Sequence, residues 1–83
     1  MYVHIGKDVV INSDNIISIL DIEALEKKKN LEEVLQNLKI SDKIIDVSEK
    51  NKKSLIIIKK NNETFGYITN ISTSTLAKRA GNS

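Results

Sequence analysis

The sequence contains no cysteine and no proline, and only three glycines and three aromatic residues among its 83 positions. Without cysteine there is neither a disulfide framework nor a thiolate metal site, which excludes the stapled secreted mini-proteins and points to a reducing compartment. Gly6, Gly66 and Gly81 are too far apart to build a phosphate-cradling loop or a dinucleotide fingerprint. The single histidine, His4, has no second histidine and no carboxylate at ligand spacing; its ordinary reading is a half-buried strand residue, not a metal ligand or catalytic base. No nucleophile-elbow motif is present. Together these absences argue against an enzyme, a structural metal, a cofactor and a small-molecule substrate. The opening MYVHIGKDVV lacks the basic-then-apolar order of a signal peptide, and no run approaches the length of a membrane span. A cytoplasmic protein without membrane association is expected.

What is present is charge, unevenly placed. The net charge of +2 announces nothing, but residues 1–48 hold six lysines against nine carboxylates (−3), and residues 49–83 hold seven basic groups against two (+5). The asymmetry suggests a basic face from the C-terminal half, whose alternative is an ordinary solvated surface. A chain this short buries a small share of its surface, for which self-association is a common remedy.

Along the chain, Tyr2 to Ile5 and Val9 to Ile11 are β-prone and flank the turn residues Gly6-Lys7-Asp8, predicting an N-terminal hairpin. Ile16 to Leu20 follows as a third strand, so apolar that burial on both sides is expected. Residues 24–29 have helical propensity but an irregular apolar pattern, and read as a connector with helical turns. From Leu31 the period changes: Leu31, Val34, Leu35 and Leu38 define an amphipathic helix, with Asn30 as N-cap and Glu33 completing a capping box. Three strands in a meander are then expected: Ile44 to Val47, Ser54 to Lys60 with the apolar run Leu55 to Ile58, and Thr64 to Ile71. The run Leu55 to Ile58 belongs to a central strand or a subunit seam. Ser72 to Gly81 offers hydroxyl caps, a basic last turn and a terminal glycine, predicting a short helix. The fold class is therefore α+β: a small antiparallel β-rich domain with one amphipathic central helix and a short C-terminal helix. Self-association is expected through the apolar strand surfaces at Ile16–Leu20 and Leu55–Ile58.

The turn carrying Lys50, Lys52 and Lys53 reads as a hairpin tip able to hold several ammonium groups toward a phosphate backbone. Lys59, Lys60, Lys78 and Arg79 have similar status, and each is also consistent with plain solvation. Tyr2, Phe65 and Tyr67 are not interleaved with basic residues, so they read as core and not as a base-stacking platform. Glu32 and Glu33 on the exposed start of the central helix would repel DNA, which assigns that helix to packing.

The opening MYVHIG, the stretch DVVINSDNIISILD, the strand IID, the turn ending KKS before an apolar strand, and the closing STSTLAKRA together resemble the Rem family of biofilm matrix regulators, the RemB type most closely. The resemblance spans nearly the whole chain and is weakest from Glu23 to Lys43. It implies one Rem-like domain over residues 1–83 that assembles into a homo-oligomeric ring and holds double-stranded DNA, chiefly by its backbone, at promoters of extracellular matrix genes. RemA-type members carry an arginine pair in the turn after the ID strand; by position it falls on Asn51 and Lys52, with Lys53 next. A further family arginine falls on Asn15. Lysine lacks the planar guanidinium fork and asparagine lacks charge, so weaker phosphate contacts are implied. The expectation is a non-enzymatic, DNA-binding transcriptional regulator using Lys52 and Lys53, with Lys50, Asn51, Lys59, Lys78 and Arg79 contributing. The alternative is an oligomeric interaction protein of the same fold acting through a protein partner.

Overall fold

A computed structural model describes residues 1–81, so the last two positions of the domain expected over 1–83 lie outside the described residues. Strands β1 (Tyr2–Gly6) and β2 (Val9–Asn12) form the expected hairpin, and a single 3-10 turn (Ser13–Asn15) leads into β3 (Ile16–Asp21). Helices α1 (Ile22–Lys27) and α2 (Leu31–Asn37) follow, then β4 (Ile44–Asp46), β5 (Ser54–Lys60), β6 (Glu63–Thr69) and α3 (Thr73–Arg79). The α+β class stands, with three α-helices among the described residues in place of the two expected.

Strand β5 explains the architecture. Its run Leu55 to Ile58 is wholly buried because the strand lies inside a four-stranded sheet of order β3-β5-β6-β4. Successive side chains alternate between faces. Leu55 and Ile57 therefore join Ile22, Leu35 and Ile40 beneath α1 and α2, and Ile56 and Ile58 join Val3, Ile5, Ile11 and Leu76 beneath the hairpin and α3. Of the two readings of this run, central strand and subunit seam, the first holds, and the run is not available for self-association.

Strand β3 is not buried on both sides. It is an edge strand paired only with β5, and the register slips between Ile16 and Ser18, turning Ile17 outward to 57% exposure. Continuous apolar composition implied two covered faces; the bulge breaks the alternation on which that inference depends.

The expected meander is also corrected. Strand β4 runs parallel to β6 along its far side, Ile45 opposite Tyr67, and is not paired with β5. The segment Val47 to Lys53 is too long for a tight hairpin and instead crosses the C-terminal end of β6. Gly66 permits the arrangement, since a Cβ there would lie 2.9 Å from the Cδ1 of Ile44 and 3.2 Å from that of Leu55.

The helical layer departs from its expected caps. Asp21 caps α1, its carboxylate accepting from the Ala24 amide at 3.2 Å, so the connector is a true helix. Asn30 makes no side-chain cap bond, because its backbone (φ −102°, ψ −8°) is already helical and not extended as an N-cap requires. Leu38 lies past the end of α2 and is 41% exposed; after a left-handed Lys39, Ile40 takes its place in the core.

Candidate nucleic-acid interface

The β4–β5 loop is built by backbone hydrogen bonds at both ends. The Val47 amide donates to the Ile68 carbonyl at 2.8 Å and the Lys53 amide to the Thr69 carbonyl at 2.9 Å, clasping the end of β6. Between them the buried Ser48 donates to Asp46 Oδ1 through its amide (2.8 Å) and its hydroxyl (2.6 Å). Glu49 and Asn51 adopt left-handed φ of 58° and 46°, which turns the loop sharply and leaves Glu49 to Lys53 exposed. The loop is thus a braced crossover and not the hairpin tip expected.

Its charges are not equivalent. Lys52 Nζ lies 3.4 Å from Asp46 Oδ2. The Ser48 hydroxyl and amide hold the Asp46 carboxyl below the usual carboxylate range against the opposing cost of burial, with a lesser contribution from Lys52. Lys50, Asn51 and Lys52 line one concavity of about 400 Å³ with Lys7, Asp46, Ser48 and Glu49. Lys53, the next residue, lines a different one with Asp21, Glu23, Ser72 and Thr73, near two carboxylates. The expected pair Lys52-Lys53 is divided between two surfaces.

The remaining expected residues lie elsewhere. Lys59 is exposed near the opposite end of β5, about 20 Å from Lys53 at the usual rise per strand residue. Lys78 is exposed on α3, and Arg79, also exposed, is tied to the β1 backbone, its Nη1 donating to the His4 carbonyl at 2.9 Å. Asn15 lies apart from the loop, in a concavity shared with Tyr2, Asn12, Lys60, Phe65 and Tyr67.

Two ordinary readings need correction. His4 is exposed, with Nε2 2.6 Å from the Lys7 carbonyl, because its strand position faces away from the core. Tyr2 is 74% exposed and not core, whereas Phe65 and Tyr67 pack edge-to-face at 5.7 Å against the core margin.

Lys7 was missed by sequence reasoning. Its turn was readable from Gly6-Lys7-Asp8, but nothing local says that this turn docks on the β4–β5 loop. Gly6 (φ +130°) makes the contact: a Cβ there would approach the Val47 carbonyl oxygen to 2.9 Å. Among the described residues no group of three or more His, Cys, Asp or Glu could hold a metal ion, and no helix is long and apolar enough to cross a membrane.

The model of a family described as RemA-like, extracellular matrix regulatory protein A-like, matches residues 2–80. The chain belongs to the RemA-like family. That is a regulatory family by its description, and its span takes in every element from β1 to α3. No curated protein matches the sequence closely enough to count as a relative.

Proposed function

We propose that this RemA-like chain is a non-enzymatic regulator of extracellular matrix genes, of the RemB type, acting in the cytoplasm as a homo-oligomeric ring that holds double-stranded DNA by its phosphates. The observation that carries the DNA reading is the β4–β5 loop: it brings Lys50, Lys52 and Lys53 to the surface on a backbone braced at both ends, so the backbone that presents these cations is ordered before any ligand arrives. Lys59, Lys78 and Arg79 are peripheral to it and would meet a duplex only along a longer path. Assembly is supported by the two open edges of the four-stranded sheet. β3, with Ile17 exposed, and β4, with Ile45 46% exposed, lie at opposite ends, as a head-to-tail contact that closes into a ring requires.

Duplex binding measured by fluorescence anisotropy over a salt series tests this. Wild-type protein is expected to bind with weak sequence preference, with log affinity falling by about 0.9 per log unit of salt for each phosphate neutralised. Replacing Lys50, Lys52 and Lys53 together by glutamate is expected to abolish binding while light scattering still reports the oligomer. A wild type that binds no duplex even at low salt rejects the DNA reading. It favours the second one, an oligomeric interaction protein of the same fold that acts through a protein partner.

A further inference from the structure

The geometry points to Lys7 and Lys50, and not Lys52, as the pair that takes a phosphate group, the β1–β2 turn forming one jaw and the β4–β5 loop the other. This rests on the phosphate-contact reading of the loop and names the residues that carry it. The two segments are far apart in sequence, yet Lys7 and Lys50 line the same concavity of about 400 Å³. Gly6 brings them together by packing against Val47 with no room for a side chain. Both sides are positioned. The Lys7 carbonyl lies 2.6 Å from His4 Nε2, and the His4 carbonyl in turn accepts from Arg79, which ties the turn to α3. On the opposite side Asp46 and Ser48 hold the loop.

Charge then decides between the lysines. Three ammonium groups and two carboxylates, Asp46 and Glu49, line this concavity. Asp46 is engaged by Ser48 and pairs with Lys52, whereas among the described residues neither Lys7 nor Lys50 has a carboxylate at ion-pair distance. A phosphate drawn to Lys52 must compete with Asp46 at 3.4 Å; one placed between Lys7 and Lys50 has no ion pair to break among the described residues. Arg79, which matched the basic pattern by composition, acts here as a brace for the turn.

Lys7→Gln, Lys50→Gln and Lys52→Gln, compared by duplex anisotropy over the same salt series, test the assignment. Lys7→Gln and Lys50→Gln are each expected to weaken binding at least fivefold at low salt and to reduce the salt slope, by up to about 0.9 for each subunit that touches the duplex. Lys52→Gln is expected to change affinity less than twofold. Circular dichroism and light scattering check folding and assembly; should glutamine fail at the left-handed Lys7 (φ 47°), Lys7→Asn, which tolerates that conformation, replaces it. Wild-type affinity and slope in a folded Lys7 variant overturn the assignment. If the wild type binds no duplex, the DNA reading fails by itself, and amide shifts during titration with inorganic phosphate decide the site. Shifts at Lys7 and Lys50 that vanish in the Lys7 variant sustain it, and their absence overturns it.

Discussion

The two faces of the four-stranded sheet are covered in different ways. On one, α1 and α2 come from the segment directly between β3 and β4, so the chain covers its own sheet locally. On the other, the hairpin and α3 arrive from opposite ends of the chain and are joined by the bond from Arg79 to the His4 carbonyl, while the buried Thr69 hydroxyl of β6 donates to the Ile5 carbonyl of the hairpin. The difference teaches where function can reside. The locally covered face offers packing and an acidic helix surface. The face assembled from distant segments brings two turns together and so creates a surface that neither segment owns.

The largest expected effects test whether both covers are equally necessary. Ile56 and Ile57 are neighbours on β5, both fully or almost fully buried, one under each cover. Truncating either to alanine is expected to cost about 2–5 kcal/mol in urea denaturation at fixed protein concentration. A much smaller loss at Ile56 would mean that the hairpin and α3 are loosely attached. A second variant acts on the junction: Gly6→Ala, which meets both a positive φ and the Val47 carbonyl, is expected to cost more than about 1 kcal/mol. It is also expected to weaken duplex binding, because the β1–β2 turn separates from the loop. Unchanged stability would show that the junction yields freely. The smallest effect concerns the helical cover alone. Asp21→Ala is expected to cost about 1 kcal/mol through loss of the α1 cap, and Asn30→Ala far less, since Asn30 makes no cap bond. Equal losses in thermal unfolding would restore the capping-box reading.

Much of the local structure was readable from residue order. Turn residues at Gly6-Lys7-Asp8 and Asn61-Asn62 separate paired strands, and Asn61 and Asn62 take the left-handed φ that asparagine tolerates. Ser72 caps α3, its hydroxyl accepting from the Thr75 amide at 3.3 Å, and Gly81 (φ +89°) follows the helix. The errors were of another kind. Ile16 to Leu20 was expected to be doubly buried because composition cannot reveal a bulge, and β4 was placed beside β5 because adjacency in sequence is the usual guide to pairing. For the candidate site, sequence order found the loop lysines as a run but could not separate Lys52 from Lys53 or add Lys7. Those distinctions depend on which neighbour each side chain meets.

Sequence alone determined the N-terminal hairpin, the buried run of β5 and the short helix α3, because hydrophobic period, capping hydroxyls and turn residues act over a few positions. It also determined the excess of positive charge beyond residue 48. Only the tertiary structure decided that β4 crosses to the far side of β6, that Asp46 occupies Lys52, and that Gly6 seats Lys7 beside Lys50. Each of those outcomes joins segments whose proximity costs loop entropy and is favoured only once both sheet faces are buried, and such a balance has no local signature.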